Sequence, residues 1–226
     1  MHTEVLPDAA SVARAAARLL AAEARAAVAA RGRFLVAVSG GQTPWEMLRA
    51  WAKEDLPWAW IHVFQVDERV APAGHADRNL THILATLAAA PIPPQQIYAM
   101  PVDASDLASA AAEYAAALAG LAGSPPVLDL VHLGLGGDGH TASLVPGDPV
   151  LDVVDRDVAM TRPYQDRERM TLTYPLLNRA RKILWLATGA AKAPMVVRLQ
   201  AGDQTIPAGR VRSNRATCLI DQAATG

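Results

Sequence analysis

The stretch Val127-Leu-Asp-Leu-Val-His-Leu-Gly-Leu-Gly-Gly-Asp-Gly-His-Thr-Ala-Ser-Leu-Val-Pro-Gly147 decides how this chain is read. An apolar run ends in four glycines, Gly134, Gly136, Gly137 and Gly139, which enclose one carboxylate and one imidazole, Asp138 and His140. Glycine lets a backbone approach a ligand closely and adopt φ > 0. Histidine is the side chain whose ordinary pKa suits proton transfer near neutrality. A buried strand that delivers such a pair to its end predicts a catalytic edge.

Outward from that strand, apolar runs alternate with helical patterns. A helix is expected over Asp8 to Ala30, with Arg14, Arg18 and Arg25 on one face and Val12 and Leu19 opposite. Phe34 to Val38 reads as a buried strand. Thr43 as N-cap and Pro44 in the first turn then start a helix that runs to about Lys53. Trp60 to Val66 is the second strand, and a helix covers Arg78 to Ala88. A short strand at Ile97 to Met100, a helix over Ser105 to Leu121 and the Val127 strand follow. Further strands are expected at Val158 to Thr161, Met170 to Thr173, Ile183 to Thr188 and Ala216 to Ile220, with a helix starting at Gly189 to Ala193. This alternation predicts an α/β fold with a largely parallel sheet and helices on both faces. Ligands of such folds bind beyond the carboxyl ends of the strands.

The chain has 226 residues, 51% hydrophobic and 19% charged, which allows a substantial core. No internal repeat or linker divides it, so residues 1–226 are read as one domain. The net charge of -1 gives no global electrostatic reason to expect nucleic acid or an anionic membrane. No uncharged apolar stretch is long enough to span a bilayer, and the N-terminus lacks a signal-peptide layout. One cysteine, Cys218, excludes an intrachain disulfide and reads as a small buried residue. The expectation is a soluble cytoplasmic protein, a monomer with a weak homodimer as the alternative.

Three further segments sit just after predicted strands. Ser39-Gly40-Gly41-Gln42-Thr43 joins a strand to a helix, where free amides and the helix dipole favour an anion. It is not a Walker loop, because no Gly-Lys-Ser/Thr follows. Asp67-Glu68-Arg69 offers a guanidinium that can fork onto phosphate, or else a surface ion-pair cluster. Lys192 follows Thr188-Gly189 at a helix start. Gly134-x-Gly136-x-x-Gly139 matches the dinucleotide fingerprint in form, with Asp152 and Asp155 at about the right distance. That reading fails because Pro146-Gly147 stops the required helix within about two turns. The histidines and carboxylates lack compact zinc-ligand spacing, and there is no Gly-x-Ser-x-Gly elbow. His62 and His132 lie within strands and read as structural. Trp45, Trp51, Trp58 and Trp60 read as aromatic packing.

Taken together, these segments resemble the 6-phosphogluconolactonase family. The matching pieces are Val38 to Pro44, Asp67 to Arg69 with Asn79 ten residues on, Leu133 to Gly147, Glu168 to Thr173, Thr188 to Lys192 and Ile206 to Val211. The wider superfamily includes glucosamine-6-phosphate deaminase and shares a three-layer α/β/α, Rossmann-like sheet fold. The resemblance implies hydrolysis of 6-phosphogluconolactone to 6-phosphogluconate, the second step of the oxidative pentose phosphate pathway. The substrate would be a small sugar phosphate lactone. Its phosphate and sugar would be held by Ser39, Gly40, Gly41, Thr43, Asp67, Arg69, Asn79, Gly137 and Lys192. His140 would act as general base on water, and Asp138 would orient either His140 or a substrate hydroxyl. Turn amides from Gly136 to Gly139 would stabilise the oxyanion. An activated ester needs no metal or cofactor.

The loop Thr161-Arg-Pro-Tyr-Gln-Asp-Arg167 departs from the proline-rich loop usual in the family. That leaves two arginines, Arg162 and Arg169, as alternatives for touching phosphate or sugar. The deaminases carry a glutamate where this chain has Val145 and a tyrosine where it has Arg69, which argues against isomerisation and deamination. A non-catalytic sugar-phosphate sensor on this fold would carry a helix-turn-helix segment first. Here Phe34 opens the first predicted strand and leaves no room for one.

Overall fold

The computed structural model describes residues 1–225. Gly226, the last residue of the expected domain, lies outside the described residues. Seven parallel strands form the central sheet in the order β1-β10-β9-β6-β2-β3-β5. Their ranges are β1 His2–Leu6, β2 Phe34–Val38, β3 Ile61–Gln65, β5 Ile97–Tyr98, β6 Leu130–Gly134, β9 Lys182–Ala187 and β10 Ala216–Asp221. A second, antiparallel sheet has the order β4-β8-β7, from β4 Asp67–Arg69, β7 Val158–Met160 and β8 Arg169–Leu172.

All five residues of β2 are buried, because the strand is covered on both sides. Phe34, Val36 and Val38 face one core, and Leu35 and Ala37 face the other. The first core is roofed by α1 (Ala9–Arg31), α2 (Gln42–Trp51) and α3 (Asn79–Leu87). The second is roofed by α4 (Leu107–Ala122), α5 (Tyr174–Arg179) and α6 (Ala193–Gln200), with the small sheet beside them. The result is the expected three-layer α/β/α arrangement.

Helix α1 shows how sequence sets this packing. Asp8 caps it by accepting from Ser11 N at 2.7 Å, and Gly32 ends it in the left-handed region. Its buried stripe is mostly alanine (Ala13, Ala16, Ala17, Ala21, Ala24, Ala27), which lets α1 lie close to the sheet. The three arginines lie exposed as expected, while Glu23 pairs with Lys182.

Several expectations are corrected. β1 precedes Phe34 and forms the sheet edge. Its exposure pattern lacks apolar alternation, so no periodic signal marked it. The Val158 and Met170 strands leave the central sheet and pair antiparallel with Asp67–Arg69. α2 starts one residue before Thr43, at Gln42, with Gly41 as a cap that makes no side-chain bond. Thr43 therefore lies inside the helix. The glycine cluster leads into a Thr141–Leu144 bridge and turns, then a short 3-10 helix at Pro149–Asp152. α5, only six residues long, was not anticipated.

Strand order positions the site. From β2 the sheet grows one way through β3 to β5, and from β6 it grows the other way through β9 and β10. The reversal lies between β2 and β6, where open α/β sheets form their ligand crevice. No helix among the described residues is long and apolar enough to cross a membrane.

Candidate active site

Both glycine loops emerge at that reversal. Ser39 follows β2 and is tied to β6 twice: its N–H donates to His132 Nδ1 at 3.2 Å, and its hydroxyl donates to His132 O at 3.1 Å. His132 is fully buried, and burial holds its imidazole far down, at about 3. The neutral ring accepts at Nδ1, so Nε2 carries the proton, and Nε2 is buried without a partner. Beyond Ser39, no side chain caps the N-terminus of α2, which leaves its first amides to a ligand. Gly40 is required here by close approach, since a Cβ would lie 2.1 Å from Asn79 Oδ1.

The loop after β6 holds Asp138 and His140. His140 Nδ1 lies 2.6 Å from Asp138 Oδ1, and His140 N donates to the same oxygen at 3.1 Å. Partial burial alone would push Asp138 up, but these hydrogen bonds and the imidazole charge hold it below the usual carboxylate range. An ionised Asp138 accepts the Nδ1 proton, a tautomer that leaves the Nε2 lone pair free to accept another. Gly136 makes room for the ring, because a Cβ there would meet His140 Nδ1 at 2.1 Å. Within the turn, Gly136 N donates to His140 O at 2.8 Å and Gly139 N to Gly136 O at 3.0 Å.

The small sheet supplies the third wall. Asp67 is buried and accepts from Ser143 Oγ at 2.7 Å. Arg69 donates to Asn79 Oδ1 at 2.9 Å, and Asn79 Nδ2 donates to Asp67 O at 2.9 Å. Between them Glu68 is wholly buried. It accepts from Arg69 N, Asn79 N, Leu80 N and Gln65 Nε2 at 2.7–2.8 Å, and Arg78 Nε stands 3.2 Å away. The Asp67-Glu68-Arg69 segment is thus a buried scaffold, not a surface ion-pair cluster. Glu68 caps α3 from outside the helix, a role invisible without the fold.

Antiparallel register sets Arg69 directly opposite Arg169. Like charges so placed are destabilising unless an anion joins them. Burial and then Arg69 hold Arg169 below its ordinary value, and its Nε is buried without a partner. Lys192 has no carboxylate within 4.0 Å among the described residues. Thr43 Oγ1 and Thr188 Oγ1, 2.8 Å apart, join the loops after β2 and β9.

These walls enclose a cavity of about 760 Å³. Ser39, Gly40, Gly41, Thr43, Asp67, Arg69, Asn79, Gly137, Asp138, His140, Arg169 and Lys192 all line it. Arg162 does not; it is exposed, and its backbone N–H donates to Asp148 Oδ2 at 2.9 Å. Of the two arginines left open by sequence, the structure brings only Arg169 to the cavity. Sequence reading missed Glu46, Tyr164 and Gln165 as lining residues and Glu68 as a support, whereas His132 is structural as expected. The unusual Thr161–Arg167 loop was the one signal that pointed to Tyr164.

Two predictions follow from this geometry. Gly136→Ala displaces the His140 ring and lowers kcat by about 10²-fold, as a misplacement of roughly 1 Å does; steady-state kinetics beside a thermal melt check it. Unchanged kcat in a folded variant refutes the close-approach argument. His132 sets a pH dependence of stability. Unfolded, an imidazole titrates near 6.5, whereas the native ring stays neutral down to about 3. Its contribution is therefore complete above the unfolded value and is lost as pH falls through it. From about pH 7 to about pH 5 the wild type should lose about 2 kcal/mol more than His132→Gln. Urea unfolding at both pH values measures the difference, and equal losses contradict it.

The chain is similar to known proteins of one family. A family model described as glucosamine-6-phosphate isomerases/6-phosphogluconolactonase matches residues 7–220. A 6-phosphogluconolactonase of Synechocystis is 40% identical over 207 residues, 88% of this chain and 86% of the relative. One of Nostoc is 35% identical over 231 residues, 99% of this chain and 96% of the relative. The crystal structure of 6-phosphogluconolactonase from Thermotoga maritima superposes with a TM-score of 0.87 at 26% identity, covering 97% of this chain and 98% of that one. A monomeric glucosamine-6-phosphate deaminase superposes with a TM-score of 0.85 at 18% identity, a likeness of fold alone. With the family model spanning nearly every described residue, the chain belongs to the glucosamine-6-phosphate isomerase/6-phosphogluconolactonase family.

Proposed function

We propose that this chain hydrolyses 6-phospho-D-glucono-1,5-lactone to 6-phospho-D-gluconate, with His140 as general base and residues 1–226 acting as one domain. The lactonase names of its relatives support the reaction. The observation that carries the role of His140 is its 2.6 Å contact with Asp138, in a cavity that also holds an anion cradle.

In this reading the substrate phosphate sits at the start of α2, against the amides after Ser39, Gly40 and Gly41, with Thr43, Arg69 and Lys192 around it. Asn79 and Asp67 hold Arg69 in place. Arg169 adds a second guanidinium on the same wall. Water attacks the lactone carbonyl carbon while its proton passes to His140 Nε2. The C–O bond that forms leaves a tetrahedral oxyanion. Gly136 N and Gly139 N are committed within the turn, which leaves the Gly137 and Asp138 amides as donors; one well-placed donor is worth about 3–4 kcal/mol. Collapse breaks the bond to the ring oxygen, and His140 returns its proton there. The new carboxylic acid ionises to solvent, and the imidazole ends neutral. Asp138 serves as the orienter of His140, because both of its contacts with that residue are already made.

Deamination is the weaker reading. It needs further proton carriers, and Val145 is a buried aliphatic side chain.

His140→Ala should lower kcat by about 10²–10⁴-fold. The assay follows freshly made lactone against its spontaneous hydrolysis; wild-type turnover in the variant ends the assignment. Arg69→Ala should raise KM with kcat within a few-fold, the sign of lost phosphate binding. A collapse of kcat at fixed KM would give Arg69 a different role.

A further inference from the structure

Tyr164 stands at the tip of the hairpin between β7 and β8, on the sequence segment that fits no earlier role. Its hydroxyl donates to Asp138 Oδ2 at 3.2 Å, the carboxylate oxygen that His140 does not use. Its ring meets the His140 ring edge to face, 5.5 Å between centroids. The Arg169 guanidinium covers the tyrosine, 5.0 Å from the ring centroid. Arg169, Tyr164 and His140 are therefore in contact in series, with Asp138 bonded to both the tyrosine and the imidazole.

The hairpin tip is built to hold this position. Tyr164 and Arg167 pair across a two-residue turn, and both central residues, Gln165 and Asp166, have positive φ (53° and 60°). Primed hairpin turns require that conformation, which non-glycine residues adopt only under constraint. The constraint is visible: Arg169 donates to Tyr164 O at 3.3 Å and to Gln165 Oε1 at 3.1 Å, and Arg167 pairs with Asp77 at 2.8 Å.

We propose that Tyr164 is a positioning residue whose hydroxyl fixes Asp138, so that the carboxylate in turn fixes the His140 ring. The chain Tyr164–Asp138–His140 gives each Asp138 oxygen a donor and leaves the carboxylate one orientation. The tyrosine keeps its proton, because burial and then the Asp138 charge raise it above its ordinary value. Other charges around the cavity are Glu46 from α2, Asp67 and Arg69 from β4, Arg169 from β8 and Lys192 before α6. None of them makes a hydrogen bond to Asp138 or His140 among the described residues, which leaves Tyr164 as the side chain that tunes the pair.

The proposal rests on the general-base reading for its kinetic consequence but not for its structural one. The test is Tyr164→Phe, which keeps the ring contact and removes the hydroxyl. Without that donor the Asp138 charge acts on the imidazole undiluted. The His140 titration midpoint, read by NMR in the free protein, should move upward by about half a pH unit or more. The acid limb of kcat/KM should move with it, kcat should fall about 3–10-fold near neutrality, and KM should hold within about twofold. In an Asp138→Asn background the same change should leave the midpoint where it was, since the link is already cut. A midpoint unmoved by Tyr164→Phe, or moved equally in both backgrounds, overturns the proposal. If the NMR midpoint moves while the kinetic limb stays, the positioning role stands and His140 as base falls.

Discussion

Two hydrogen bonds between Ser39 and His132 tie the ends of β2 and β6 together at the point where the sheet reverses its order. One loop leads into the uncapped helix start, the other into the glycine turn with Asp138 and His140. Their relative placement sets the distance between the open start of α2 and His140. The tie has a cost. It keeps an imidazole neutral in the core and leaves Nε2 without a partner, a defect of about 1–3 kcal/mol in comparable cases. A leucine in β6 would pack without that penalty but would leave the Ser39 amide unbonded. The defect lies where the loops must be held, the usual place for a local rule to be broken.

Glu68 plays the matching part on the other wall. A carboxylate with no exposure is expensive unless its lone pairs are filled. Here four N–H donors and a nearby guanidinium fill them. The donors come from β3, β4 and the first turn of α3, so one side chain fixes three elements. Arg69 and Asn79 inherit their positions from it. The Arg69–Arg169 register then makes sense as a site cost, with two cations held opposite each other by buried supports that cannot relax away.

The sequence made the parallel framework legible because buried strands are continuous apolar runs. Phe34–Val38 was read with both ends correct, and the four strand-end motifs were placed on one edge. What failed depends on partners distant in sequence. β1 is a largely exposed edge strand that pairs with β10, distant in sequence. The β7 and β8 segments read as strands, but nothing local says they pair with Asp67–Arg69 instead of joining the main sheet. The same ignorance left Arg162 and Arg169 equivalent, although register alone separates them. Tyr164 was hidden because its value lies in a contact across 26 residues with Asp138. Thr43 lies two positions past the true cap, since the helix is capped by Gly41, which leaves its amides open. An ordinary capping preference pointed to the hydroxyl instead.

On the proposed reading, the cavity's charges divide the labour of catalysis. Arg69, Arg169 and Lys192 share the cavity lining with Glu46, Asp67 and Asp138. With the cavity empty the cations oppose a positive imidazole, and the carboxylates oppose them in turn. A phosphate bound at the α2 end neutralises the cations first. The remaining field then comes from the carboxylates, above all Asp138, which touches the ring. Positive charge on His140, unhelpful before substrate arrives, becomes favourable as the attacking water gives up its proton. Binding energy from the unreactive phosphate thus serves mainly to seat the lactone and shows in KM, while the carboxylate field acts on the transition state. That division needs a rigid path between the two ends, and the Ser39–His132 tie supplies one.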